Sequence, residues 1–441
     1  MSAYTQVHPL PLGSPHAVHS DSTDSFDVAV VGAGPAGCAA ATVLAEHGHR
    51  VALVERSPLP RYRIGESLIP HCWFPLDRLG LVEALNESSF IVPKYSVQFV
   101  STDGAQTRPF YFTEHTDHPK GRTWQVVRSE FDQLLLKRSL EAGVTFYSET
   151  AATDLLRAND NLQGPVVGVR AKNGKGAFDL HAKITVDASG RDLFAAQRNG
   201  WRMGDDSLRK LAIWKYFRGA KRDPGRDQGA TTIAYLPEKG WIWYLPLSDD
   251  LTSVGVVAEP EYLLREGKDH ARVFDRETAL QPWIAERLAP ATPEEELHVT
   301  RDFSYRSRHC AEDGLVLVGD ALAFLDPVFS SGVYLALDGG VRAGDAVHAA
   351  LSANDMSATS FAEYGRVSVQ QLEAMRHLVH AFYDPGFHFG KLFKSHPQMR
   401  DRVTEVLIGN LGQDFSDLFD ALGEFAEIPE APEGGTVCTR D

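Results

Sequence analysis

Gly32-Ala33-Gly34-Pro35-Ala36-Gly37 sets three glycines at the spacing with which a turn wraps a phosphate. Gly32 permits a tight turn, Gly34 lets the backbone approach a pyrophosphate, and Gly37 allows close packing of helix on strand. Amides from Ala36 onward then face the anion with the positive end of a helix dipole behind them. Glu55 stands 23 residues after Gly32, with Arg56 beside it, at the distance where an acid accepts ribose hydroxyls. A second acid, Asp320, follows Leu315-Val-Leu-Val-Gly319 and is delivered to a helix start. Farther on, Ser330-Ser331-Gly332-Val333 turns into a helix whose first amides suit an anion or a polar ring edge. Lys94 opens the alternating run Tyr95–Val100. Held between apolar walls it would be nucleophilic near neutral pH; the alternative is a solvated lysine at a strand edge.

The elements that must position these groups can be read from periodicity. Phe26–Val31 reads as a buried strand, followed by an Ala-rich helix to about Gly48 and a strand Val51–Glu55, a βαβ unit. A Pro- and Arg-containing loop spans Pro58–Pro70, with a helix beyond it to about Leu85. Ser129 is expected to cap a helix over 128–142, with Arg128 at its start. Aromatic and β-branched runs at Leu211–Phe217, Thr231–Tyr235, Trp241–Leu245 and Thr252–Val257 predict a mostly antiparallel sheet. Leu315–Val318 is a short strand before the long helix to about Leu351. Helices continue from Ser360, broken at Asp384-Pro385-Gly386.

The fold class expected is α/β. A discontinuous nucleotide-binding Rossmann domain (26–92, 126–205 and 306–355) carries an inserted antiparallel substrate domain (93–125 and 206–305). Helices fill 356–426. Residues 1–25 read as a disordered leader and 427–441 as a flexible tail.

Composition excludes several function classes. The net charge is −15 and no Lys/Arg block stands out, which argues against nucleic acid or anionic membrane as partners. No segment approaches the ~20 apolar residues that span a bilayer. Cys38, Cys72, Cys310 and Cys438 are scattered, so no metal site or disulfide framework is expected and a cytoplasmic location suits the chain.

Gly32–Gly37 with Glu55, Arg128, Asp187-Ala-Ser-Gly190 and Gly319-Asp320 together resemble the two-part FAD fingerprint of glutathione-reductase-like flavoproteins. Asp187 can equally be a solvated loop acid, since turns favour Asp, Ser and Gly. No second glycine fingerprint provides for a nicotinamide. Three further segments narrow the resemblance. Gly240-Trp241-Ile-Trp243-Tyr-Leu-Pro246 is similar to the W-x-W-x-I-P motif of flavin-dependent halogenases, with Leu245 where Ile is usual. Phe324-Leu-Asp-Pro327-Val-Phe329-Ser-Ser331-Gly332 is similar to their flavin-facing turn, and Arg63-Ile-Gly-Glu66-Ser67 to the loop that covers the flavin. The similarity runs over about residues 26–390.

Membership of that family implies an enzyme that uses reduced FAD, oxygen and chloride or bromide to halogenate an electron-rich aromatic ring by way of hypohalous acid. It also implies a separate flavin reductase and a phenolic, pyrrole or indole substrate, free or tethered to a carrier protein. Lys94 would transfer the halogen, and the backbone at Ser331 and Gly332 would hold the halide, although those amides can instead serve the flavin alone. One departure stands out: tryptophan halogenases carry a glutamate where this chain has Phe329. The competing readings are an aromatic monooxygenase, a geranylgeranyl-reductase-like enzyme and a non-catalytic flavin-binding protein; halide dependence separates them.

Overall fold

The protein is described by a computed structural model covering residues 25–161, 164–301, 304–431 and 433–439. The expected leader lies, except for Ser25, outside the described residues. Phe26–Val31, apolar on both faces but for Asp27 near its start, pairs in parallel with Val51–Val54 on one side and Ala182–Asp187 on the other. Thr145–Tyr147 and Leu315–Leu317 extend this parallel layer at either end. Such strands survive only if both faces are covered. Helix Pro35–Glu46 packs against Phe26–Val31 and Val51–Val54, and Arg128–Glu141 and Gly332–Ala353 pack against that helix. A Cβ on Gly340 would lie 2.4 Å from the Ala36 carbonyl, and one on Gly344 2.9 Å from Val43 Cβ. The first and last of these helices therefore meet at backbone distance.

The central sheet has eight strands among the described residues. Leu211–Arg218, Leu251–Ala258, Trp241–Pro246 and Thr231–Tyr235 are antiparallel neighbours, as the alternation predicts. Ser96–Val100 then joins in parallel to Thr231–Ala234. Its opposite edge is closed by Thr292–Pro293 and His298–Arg301.

Four sequence expectations need correction. Ile91–Lys94 and Thr123–Val126 form one two-stranded ribbon, so the domain boundaries expected at 92/93 and 125/126 both cut a single unit. Lys94 closes its strand rather than opening the next. Ser129 does not cap its helix: the chain leaves the ribbon directly into Arg128, Val127 holds the cap position, and Ser129 is buried inside the first turn. The tail is not wholly frayed, because Thr436–Val437 pairs in parallel with His309 and Ala311, and the Gly435 amide donates to the Ser307 carbonyl. Among the described residues no helix is long and apolar enough to cross a membrane.

Candidate functional site

The glycine turn is built as its spacing requires. Gly32 has φ +103°, and a Cβ there would sit 2.5 Å from the Ala188 carbonyl oxygen; only glycine tolerates both. Gly37 lies under the helix, where a Cβ would come within 1.9 Å of the Gly32 oxygen. Gly34 is different: a Cβ would meet only the Arg61 guanidinium at 3.7 Å, so its bare face is left for a ligand. Glu55 is fastened by three donors. Its Oε2 accepts from the Ala33 amide (3.0 Å) and Arg61 Nη2 (3.2 Å), and its Oε1 from the Ser57 amide (2.9 Å). Arg61 also reaches Asp132, which in turn accepts from Arg128 Nε at 3.0 Å. Arg128 donates to the Ile64 carbonyl at 2.6 Å and thereby ties down the Arg63–Ser67 loop. Arg56, on the rim, pairs with Asp192 at 2.6 Å.

These groups border a cavity of about 950 Å³. Gly32, Gly34, Ala36, Glu55 and Arg56 line one end; Glu66, Ser67 and Arg128 line the middle. Asp320, Phe324, Pro327, Ser330, Gly332 and Val333 also line it, as do Trp214, Trp241 and Trp243 of the central sheet. Asp320 is partly accessible from the cavity, yet its carboxyl lies deep enough for burial to push it up to about 6, against the lowering pull of Arg191 and Arg128. No hydrogen bond to that carboxylate is made by the described residues. A carboxylate that lines the cavity with no donor from the described residues suits a ligand that brings donors, as the hydroxyls of a flavin side chain do. Together with the open face of Gly34, the residues present fit FAD.

The aromatic wall is held by polar ends. Trp243 Nε1 donates to Ser253 Oγ at 3.1 Å, and the ring lies over Gly255, where a Cβ would come within 2.1 Å of it. Trp241 Nε1 donates to Tyr383 Oη at 2.7 Å; Tyr383 donates to Asp326 Oδ2 at 2.9 Å; and the Val328 amide donates to Asp326 Oδ1 at 3.0 Å. Burial pushes the Asp326 carboxyl up to about 6, with the Tyr383 and Val328 donors pulling it back. Glu66, buried, accepts from Tyr216 Oη at 2.5 Å.

Lys94 is 1% exposed, which rules out the solvated-edge alternative. Its Nζ donates to Ser67 Oγ at 2.8 Å and to the Leu68 carbonyl at 2.9 Å, and lies 5.6 Å from the centre of the Phe112 ring. Ser67 Oγ is 2.9 Å from Thr231 Oγ1, which accepts from Gln125 Nε2. Ser67 and Thr231 line the cavity; Lys94 stands one hydroxyl behind them. No ion pair joins it among the described residues, and burial brings its ammonium down to about 7.

Other expected residues fall outside the wall. Asp187 is fully buried, with its carboxylate accepting the Ser189 amide at 3.0 Å and the Ala195 amide at 2.7 Å. It staples the turn whose Ser189 and Gly190 line the cavity; the carboxylate itself neither lines the cavity, as the cofactor expectation requires, nor is solvated, as the loop-acid alternative requires. Gly319 lies behind Asp320, with a Cβ there 3.0 Å from that of Ala36. Ser331 is buried between Ser330 and Gly332, and Pro246 ends its strand opposite Thr252. Phe329, in the position of the family glutamate, is buried edge-on against Phe382. Sequence reasoning missed Asp326, Tyr383 and the Glu66–Tyr216 pair. Asp326 carried a cap signal, Asp before Pro; Tyr383 ends a helix without any motif, and only the fold brings it in.

The tryptophan halogenase family model matches residues 27–120 and 113–388. A 1H-pyrrole-2-carbonyl-[peptidyl-carrier protein] brominase of Pseudoalteromonas luteoviolacea is 31% identical over 389 residues, covering 87% of this chain and 92% of its own. A tryptophan 2-halogenase of Chondromyces crocatus is 32% identical over 408 residues, covering 90% of this chain and 74% of its own. Among solved structures, the flavin-dependent brominase Bmp2 superposes with a TM-score of 0.80 at 27% identity, over 91% of this chain and 98% of that one. The myxobacterial chondrochloren halogenase CndH, described as a variant of FAD-dependent halogenases, gives 0.77 at 32% identity, over 90% of this chain and 93% of that one. The protein therefore belongs to the tryptophan halogenase family and is a flavin-dependent halogenase, an FAD-dependent oxidoreductase that takes a halide as co-substrate.

Proposed function

We propose that this halogenase acts on a small electron-rich ring, a pyrrole or phenol, tethered to a carrier protein, and that Lys94 delivers the halogen. The observation that carries the lysine reading is its environment: a buried amine with no counter-ion among the described residues, one hydroxyl behind the cavity wall. The substrate reading follows the pyrrolyl-carrier brominase and the similar pyrrolyl-carrier chlorinase of Pseudomonas fluorescens, 27% identical over 413 residues.

When bound and reduced, FAD with oxygen and a halide supplies hypohalous acid. The chain's own residues do the rest. The backbone of Ser331 and Gly332 holds the halide at the start of helix Gly332–Ala353. The tryptophan wall excludes water. Lys94, an amine near neutral pH, takes the halogen from hypohalous acid with loss of water. The ring carbon then takes the halogen from Nζ and gives up its proton, and the amine is restored. Electrons reach the flavin from a separate reductase. Rapid NADPH oxidation by the protein alone would contradict that point.

The test is to incubate the protein with a flavin reductase, NADPH, bromide and a panel of phenols, indoles and carrier-tethered pyrroles, with product read by mass spectrometry. Bromination of the tethered ring, and none without bromide, is expected. Turnover of the free rings alone would overturn the carrier reading, and hydroxylation independent of halide would overturn the halogen-transfer chemistry.

A further inference from the structure

The turn Asp326–Gly332 faces the cavity through Pro327, Val328 and Ser330. Its internal bonds are few: the Val328 amide to Asp326 Oδ1 at 3.0 Å and the Ser330 amide to the Pro327 carbonyl at 2.9 Å. Ser330 itself is held at φ +56°, a conformation that a non-glycine residue keeps only when its surroundings insist. Among the described residues, the turn makes one hydrogen bond to a distant element, from Tyr383 Oη to Asp326 Oδ2 at 2.9 Å. Tyr383 ends the 22-residue helix Ala362–Tyr383. Its neighbour Phe382 packs edge-on against Phe329 of the turn.

Donor accounting gives this contact a direction. An indole N–H only donates, so Trp241 Nε1 uses a lone pair of the Tyr383 oxygen. The single tyrosine proton is then committed to Asp326. Neither Tyr383 nor Asp326 lines the cavity, whereas Trp241 and the turn do. Lys210 Nζ, 4.1 Å from the centre of the Tyr383 ring and 3.1 Å from Glu259, further fixes the ring in place.

We propose that Tyr383 is a positioning residue: its one hydroxyl ties the cavity-facing turn to the Trp241 indole and so sets how the Ser331 and Gly332 amides are presented to a halide. The inference rests on the reading that those amides hold the halide. It gives helix Ala362–Tyr383, which carries no sequence motif of its own, a part in halide affinity.

The experiment titrates bromide into the FAD-loaded protein and follows flavin fluorescence, in parallel with the bromide dependence of product formation. Wild type should show a saturable response. Tyr383→Phe keeps the ring packing but loses both bonds, and should raise both bromide midpoints about three- to ten-fold, the loss of a hydrogen bond's worth of ordering. FAD affinity and the rate at saturating bromide should change far less. Asp326→Asn, which also weakens the tie, should move the midpoints in the same direction and serves if Tyr383→Phe does not fold. Unchanged midpoints in a folded variant overturn the proposal. A wild type whose flavin fluorescence ignores bromide overturns the halide reading itself, and with it this inference.

Discussion

The two ends of the cavity are built by different means. At the pyrophosphate end, Glu55 is satisfied by the Ala33 and Ser57 amides and by Arg61, all within 22 positions of it. At the reactive end, Lys94 is held by Ser67 and Leu68 across 27 and 26 positions, Glu66 by Tyr216 across 150, and Trp241 by Tyr383 across 142. The first end is a local device that any strand–turn–helix of the right spelling makes. The second exists only after the central sheet and the C-terminal helices have assembled. Cofactor binding and halogen transfer should therefore be separable by mutation.

The largest effect is expected at the glycines, where the two kinds of constraint part. Gly32→Val meets both a positive φ and the Ala188 carbonyl, so little folded, flavin-bearing protein should be recovered. Gly34→Val has room in the structure itself. It should fold with a normal circular dichroism spectrum and lose flavin absorbance, because its side chain occupies the cradle. Normal flavin content in Gly34→Val would remove the pyrophosphate from that turn.

This contrast also explains how far the sequence could be read. Gly32, Glu55 and Asp320 were legible because spacing along one βαβ unit and one strand end specifies their geometry. The four strands from Leu211 to Ala258 were legible from alternation. Burial of Lys94 was not, since a lysine closing a strand has the same local pattern whether solvated or enclosed. It is enclosed by Phe112 and by the Ser67 loop, neither of which its neighbours announce. Asp187 shows the opposite failure, a motif acid whose bonds go to its own turn.

Next in size is the loss of chemistry without loss of cofactor. Lys94→Ala should retain FAD and form no halogenated product. Lys94→Arg should fail as well, because a guanidinium stays protonated. Near wild-type halogenation by Lys94→Ala would remove the amine from the mechanism. Flavin loss in that variant would erase the separation between the two ends.

The same lysine carries a cost to stability with a defined pH dependence. Its folded value near 7 lies below the ordinary 10.5, so the unfolded chain binds more protons between those limits and stability rises with pH across them. Below pH 7 the penalty is fully present, on the order of 5 kcal/mol at full strength. Lys94→Met should thus raise the urea midpoint at pH 6, and raise it less at pH 9. An equal gain at both would show that the amine is not depressed by burial.

The smallest effect is expected at Asp187. Asp187→Asn keeps one acceptor for the Ser189 and Ala195 amides. It should lower the melting temperature by about 1 °C, from about 1 kcal/mol, and leave the FAD dissociation constant within about three-fold of wild type. A loss of FAD affinity greater than tenfold would return Asp187 to the cofactor.

The glycine-spaced contact between the first and last layer helices also has a temporal side. Pro35–Glu46 finds its partner only when Gly332–Ala353 has been made, about 300 residues later. At ribosomal rates of about 5–20 residues per second, that is a wait of roughly 15–60 s. Through that interval the nascent chain carries an uncovered alanine face and half of a nucleotide site. Chaperone occupancy of the growing chain should accordingly peak before residue 332 emerges and fall once Ala353 clears the exit tunnel, which ribosome profiling of chaperone-bound chains can read.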